Sequence, residues 1–371
     1  WLIANEPDSI WQNNLEPHVY ASAYHELYHL IKGADPAARI LAGSIVQPTE
    51  IRLLYLDMIL ESYRESYGEL MPVDGWSIHN FILNEVSCDD FPEICWGAEI
   101  PPGIDAPYGE VLSIEDHDSM ALFVERIERF RQWMADRGYL GLPVYLSEYG
   151  ILMPPDLGNG FPPSRVNDFM NNTFNYLLSA TDRRLGDPND DYRLVQKLSW
   201  FSTSKSIDVF NGWLYEPDNP DLLSPMGLNY AAYVAGIESE IDLYPSRIAA
   251  DPPSPFSPVE PVTITLETTV ANSGNVITAT RPVTVRFYDG DPADGGLQIG
   301  EDQTVSLTGC GDNQSLSVVW PDVAPGAHRV FVVVDPENLI IESDEINNIA
   351  SRVIVVASER VLLPAIQFSV E

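Results

Sequence analysis

The sequence predicts an α/β domain followed by an all-β, immunoglobulin-like sandwich, and three observations lead there. Over roughly the first two thirds of the chain, short apolar runs alternate with amphipathic helical stretches, the signature of a parallel sheet with helical crossovers. A proline-rich stretch, Asp251-Pro-Pro-Ser-Pro-Phe-Ser-Pro258, then interrupts the pattern. Beyond it the chain breaks into short β segments separated by turn signals.

Taken in order, Trp1-Leu-Ile-Ala4 reads as a short buried strand that stops at Asn5-Glu6, because Pro7 removes a ladder donor. His18 to Ala34 has helical spacing, with Tyr20, Tyr24, Leu27, Leu30 and Ile31 recurring at three and four. Arg39 to Val46 is a strand, Ile51 to Tyr67 a helix and Asp74 to Ile82 a strand. A long proline-bearing loop follows, then a helix from Ser119 to Gly138 and a strand from Leu142 to Gly150. Ser164 to Asp182 is helical, Val195 to Thr203 extended, and Met226 to Glu238 a closing helix. No glycine-rich loop follows any strand, which argues against a nucleotide fold. Five such units are too few to close an eight-stranded barrel, so a barrel reading requires three more units ahead of Trp1.

After the linker, Val262 to Val270, Val283 to Tyr288, Gln303 to Leu307, Ser315 to Trp320, His328 to Val334 and Ala350 to Val356 read as strands. The division expected is therefore 1–243 for the α/β domain, 244–261 for a linker, 262–357 for the sandwich and 358–371 for a tail.

The 371 residues include 55 acidic and 20 basic side chains, a formal net charge of −35. Such a chain repels phosphate backbones and anionic membrane surfaces, and it carries no basic stripe; nucleic acid is not an expected partner. Apolar content of 45% and charged content of 20% fit a globular protein. No apolar run is long enough to span a bilayer. Cys88 and Cys95 share one loop and Cys310 stands apart; a local disulfide and two free thiols are both open. The chain begins without Met and in mid-strand, so the sequence reads as part of a longer polypeptide.

Asn5 and Glu6 stand at the carboxyl end of one predicted strand, and Ser147-Glu148-Tyr149-Gly150 at the end of another. Two glutamates on the open face of a parallel sheet are what glycoside hydrolysis needs: a proton for the leaving oxygen and a negative charge at the anomeric carbon. On these residues the first domain resembles the retaining glycoside hydrolases built on a (β/α)₈ barrel, which carry Asn-Glu on strand four and a second Glu on strand seven. Counting Leu2 as the fourth strand puts Glu148 on the seventh and Trp200 on the eighth. The resemblance implies a partial TIM barrel, strands four to eight, with Glu6 as acid/base and Glu148 as nucleophile. It implies that Asn5 binds the sugar 2-hydroxyl, that His79 sits beside the nucleophile, that Tyr149 joins the substrate contacts, and that Trp200 forms the stacking floor. The substrate implied is a poly- or oligosaccharide, with no cofactor and no metal.

The second domain resembles the CARDB-like, cell-adhesion-related sandwich modules of bacterial surface proteins. Thr269-Val-Ala-Asn-Ser-Gly-Asn275, Val283-Thr-Val-Arg-Phe-Tyr288 and Glu342-Ser-Asp-Glu-Ile-Asn-Asn348 carry the likeness. It implies attachment or spacing at a cell surface or on a polymer, in an extracellular or surface location.

Two other classes compete. His25-Glu26-Leu-Tyr-His29 matches H-E-x-x-H on a predicted helix, and spacing of four puts both imidazoles on one face, the basis for a zinc peptidase with Glu50, Glu61 or Glu65 as third ligand. A non-catalytic surface protein that binds carbohydrate is the third class. Asp289-Gly-Asp-Pro-Ala-Asp294 lacks the ligand pattern of a calcium loop and reads as a hairpin turn.

Overall fold

The computed structural model describes residues 1–36, 38–204, 210–253, 255–256, 261–278 and 282–358. The chain forms two compact units, 1–238 and 239 onward. Of the expected tail, residues 359–371 lie outside the described residues.

In the first unit, α1 (Pro17–Ala34), β1 (Leu41–Ile45), α2 (Glu50–Tyr67), β2 (Gly75–His79), α3 (Met120–Asp136), β3 (Val144–Tyr149), α4 (Pro163–Ser179) and β4 (Lys197–Trp200) follow in order. The four strands pair as neighbours in chain order, all parallel. The opening stretch adds a further parallel line beside β1, with a Leu2–Leu41 bridge and Glu6 N donating to Ser44 O at 2.9 Å. Every residue of β1 and β2 is buried, as expected where helices cover a parallel sheet. Trp76 anchors the helix-side layer, edge-on to Trp133 at 4.9 Å and to Tyr139 at 5.2 Å. Pro17 and Pro163 lie inside their helices' first turns, where a missing N–H costs nothing, so both helices start a residue earlier than the apolar spacing alone indicates. A small hairpin, β5 (Tyr215–Glu216) with β6 (Asn219–Leu223), precedes α5 (Pro225–Ala235).

The second unit contains β7 (Leu243–Asp251), β8 (Val262–Asn272), β9 (Val283–Asp289), β10 (Leu297–Val305), β11 (Asp312–Val323), β12 (Gly326–Val334) and β13 (Ile349–Val356). Two antiparallel sheets, β10-β9-β12-β13 and β11-β8-β7, enclose an aliphatic core. Along β9, Val283, Val285 and Phe287 are buried while the residues between them are not, the alternation of a half-covered strand.

β7 corrects the expected linker. Residues 244–251 pair with β8 instead of spacing two domains. Pro245 is tolerated because β7 is an edge strand and its register shifts between Pro245 and Arg247. β10 also begins earlier than expected. Its pairing with β9 shifts between Ile299 and Gln303, around Gly300 at φ +69°, which hides the strand's period from the sequence.

Candidate active site

Glu6 is placed by a short, closed loop. Asn5 N donates to Asn13 Oδ1 at 2.7 Å, Ser9 N to Glu6 O at 3.1 Å, and Leu15 N to Pro7 O at 2.8 Å. Ala4 and Glu6 adopt φ of +68° and +45°, left-handed backbone that side-chain-bearing residues rarely take without compensation. The compensation is Asp8, fully buried against Arg52 of α2. One guanidinium nitrogen donates to Asp8 Oδ2 at 2.5 Å, Nε to Glu85 Oε1 at 2.7 Å, and Nη2 to the Ala98 and Glu99 carbonyls at 3.0 and 2.8 Å. Burial works against the Arg52 charge, but Asp8 and Glu85 together outweigh it and hold its pKa above the ordinary value. One arginine thus ties the Glu6 loop to the chain segment around residue 98.

Glu148 is placed by a bulge. Ile78 pairs with Leu146, yet the next residue, His79, pairs with Glu148, so Ser147 is extra on β3. Ser147 Oγ meets Ser77 Oγ at 2.7 Å, while Leu146 and Tyr149 on either side are buried. His79, 1% exposed, links the two acids: its Nδ1 lies 3.0 Å from Glu6 Oε1 and 3.7 Å from Glu148 Oε2. An oxygen of each carboxylate and a nitrogen of His79 all fall within 4.8 Å of one another. Burial pushes the Glu148 carboxyl above its ordinary pKa; His79 pulls it down and Glu6 pushes it up again.

Both acids line a cleft of about 630 Å³, together with Asn5, Ser9, Trp11, Gln12, Phe81, Leu83, Phe201 and Phe210 among others. Gly97 and Ala98 also line it, just beyond the loop closed by a Cys88–Cys95 disulfide. At Gly97, φ is +103° and a Cβ would stand 2.4 Å from Asn84 O, so only glycine fits there. The apolar wall is held from behind by buried polar groups. Arg126 Nη1 donates to Phe81 O at 2.8 Å, and Gln47 clasps Leu83 through both its amide and its carbonyl. His117 receives the Leu152 N–H on Nε2 at 2.9 Å, so its proton sits on Nδ1 and is donated to Ile82 O at 2.7 Å. Burial pushes the His117 pKa down to about 4.

Glu6, Glu148, Asn5 and His79 therefore converge, and two expected contacts do not. Trp200 is buried: its indole donates to Gly212 O at 2.7 Å and packs against Tyr149 and Phe174. Its strand neighbour Phe201 lines the cleft instead, as side-chain alternation dictates. Tyr149, wholly buried against Phe123, is on the same far side, as alternation after the cleft-lining Glu148 dictates. The two histidines of the H-E-x-x-H pattern pack among tyrosines in this structure. The His25 ring lies flat on Tyr67 with centroids 3.6 Å apart and bonds the Tyr63 hydroxyl at 2.9 Å, and among the described residues neither His belongs to a group of three possible ligands.

Sequence reasoning missed the groups that brace the site, although a signal was present. Arg52 stands on the buried stripe of Leu56, Ile59 and Tyr63, and Arg126 on that of Phe123, Ile127 and Phe130. An arginine on an apolar stripe is a buried charge that requires partners.

Residues 242–352 match the protein family described as CARDB, beginning one residue before β7. This segment is an all-β CARDB-type domain. The chain is similar to the CARDB domain of a Pyrococcus furiosus protein, solved in complex with di-metal ions, at 24% identity over 33% of this chain and 99% of that one, TM-score 0.26. It is similar to a Geobacter metallireducens protein solved in solution at 29% identity over 33% of this chain and 97% of that one, TM-score 0.24. It is also similar to a family 39 glycoside hydrolase from the gut symbiont Bacteroides cellulosilyticus WH2, at 13% identity over 86% of this chain and 57% of that one, TM-score 0.39. No curated protein matches the chain.

Proposed function

We propose that the first unit is part of a (β/α)₈-barrel glycoside hydrolase that cleaves O-glycosidic bonds of a poly- or oligosaccharide with retention. The observation that carries this reading is the convergence of Glu6 and Glu148, from two strand ends, on one cleft with oxygens within 4.8 Å. Retaining enzymes hold their carboxyl groups about 5–5.5 Å apart, whereas inverting enzymes leave about 6.5–9.5 Å for a water. In the first step Glu148 attacks the anomeric carbon and forms an ester as the glycosidic C–O bond breaks, while the leaving oxygen takes the Glu6 proton. In the second, water attacks the same carbon, Glu6 takes its proton, and the Glu148 carboxylate is released. His79 Nδ1, 3.0 Å from Glu6 and 3.7 Å from Glu148, stands beside both acids and helps to orient them. Asn5, on the cleft wall, is placed to bond a sugar hydroxyl. The chemistry needs no cofactor. The CARDB-type domain would hold the enzyme on a polymer or surface outside the cell.

The test uses the full-length protein with a panel of oligosaccharides, following the first-formed anomer by NMR. Retention, with turnover lost in Glu148→Gln and in Glu6→Gln, is the expected result. Inversion would replace the mechanism, and undiminished turnover in either variant would remove the assignment. Saccharide binding with no turnover in the unaltered protein would leave a carbohydrate-binding surface protein.

A further inference from the structure

Trp11 is 69% exposed, yet it lines the cleft that holds both acids. The backbone that carries it is held in place. Trp11 N donates to Ser9 Oγ at 3.2 Å, Gln12 N to Ser9 O at 3.2 Å and Asn14 N to Ser9 O at 3.0 Å, and the loop is moored by the buried Asp8–Arg52 pair. An indole held in water on a fixed loop is an open apolar face ready for a partner, and the CH faces of a sugar ring suit it. The loop is the one that carries Glu6. In the reading above Glu6 protonates the leaving oxygen, so its loop stands on the side where the leaving group departs. Among the described residues lining the cleft, Glu6 and Glu148 carry the ionisable side chains, and neither Lys nor Arg is present.

We infer that Trp11 is the stacking platform for the leaving-group sugar, and that the site takes an uncharged saccharide there. The inference rests on the glycosidase reading and adds a binding residue and a substrate class to it. Because stacking on the leaving group acts only before the glycosyl-enzyme forms, substrates that differ only in leaving group isolate it.

The experiment uses the full-length protein. A panel of glycosyl fluorides of common neutral sugars first identifies the accepted glycone; fluoride is too small to reach the indole. Disaccharides with that glycone follow, one with a neutral leaving sugar and one with the matching uronic acid. Trp11→Ala is expected to lower kcat/KM for the neutral disaccharide at least about tenfold more than for the fluoride, with Trp11→Phe restoring most of the difference. The uronic acid substrate is expected to be turned over at least about tenfold less well than its neutral counterpart, through repulsion by the ionised Glu148 carboxylate and the lack of a cation on the described cleft lining. Equal losses on fluoride and disaccharide, no loss on the disaccharide, or equal turnover of the uronic acid would overturn the inference. Fluoride hydrolysis that survives Glu148→Gln would instead overturn the reading beneath it.

Discussion

Arg52 and Arg126 are inaccessible in the first unit, each spreading its guanidinium over carbonyls and carboxylates behind the cleft. The interior of the second unit is built instead from Val283, Val285, Phe287, Val330, Val332 and Val334, and its buried charged groups gather at one end, around Asp242, Asp335 and Glu342. An apolar interior supplies stability without fixing any polar group, whereas taking an ion out of water costs several kcal/mol even when it is paired. A chain that accepts that cost repeatedly on one side of a cleft has positions there to hold. The contrast thus separates a unit shaped for geometry from one shaped for persistence.

The sharpest way to break this comparison is to remove chemistry from one unit and packing from the other. Glu148→Gln is expected to lower kcat by about 10⁴-fold or more, and Glu6→Gln by about 10²–10⁴-fold, with the first unit still folded by circular dichroism. Phe287→Ala is expected to cost the second unit about 3–5 kcal/mol in its denaturation transition and to leave kcat unchanged. A fall in kcat with Phe287→Ala would mean that the division of labour is wrong. Next in size, Arg52→Met leaves Asp8 and Glu85 buried without their cation, and should cost the first unit about 3–5 kcal/mol by denaturant titration. A loss below ~1 kcal/mol would show that water or another cation reaches those carboxylates.

Much of this arrangement was legible in the sequence where local pattern and tertiary role coincide. The alternation that yields β1 to β4 is visible because helices cover the sheet, and Glu6 and Glu148 stand out because each ends an apolar run. Trp200 and Tyr149 stand on the far side by plain alternation, because Tyr149 follows the cleft-lining Glu148 and Trp200 precedes the cleft-lining Phe201. β7 was hidden by its proline, which an edge strand accepts and a central strand does not. Arg52 was visible only as an anomaly, since its partners Asp8, Glu85 and Ala98 are scattered along the chain and only the fold assembles them.

A smaller effect sharpens the contrast through pH. His117 is buried neutral with its pKa pushed down to about 4, so its contribution to the first unit is full above about 6.5 and is lost as pH falls towards 4. The gap corresponds to about 3 kcal/mol. The melting temperature of the first unit should fall across that window, and His117→Gln should flatten the fall. A slope identical in the variant would assign the acid sensitivity to other groups.

The second unit should respond in the opposite sense. Glu342 Oε2 accepts from Leu243 N at 2.6 Å and Oε1 from Asn348 Nδ2 at 2.7 Å, yet burial outweighs these bonds and pushes its pKa up to about 7, with Glu345 and Asp335 adding to the rise. A carboxyl raised in the folded state favours folding below its unfolded value near 4.5, and that advantage is lost as pH climbs through 7. Glu342→Gln removes the charge that burial disfavours while keeping an acceptor for Leu243 N. Its new amide hydrogens also have a destination, because Asn348 Oδ1 is buried without a hydrogen-bond partner among the described residues and a turn of that amide would present it. The variant should therefore match the parent near pH 4.5 and stabilise the second unit by about 1–3 kcal/mol at pH 8. Stabilisation that is equal at both pH values would mean that Glu342 acts through shape and not through charge, and the opposition between the two units would then lose its basis in the second unit.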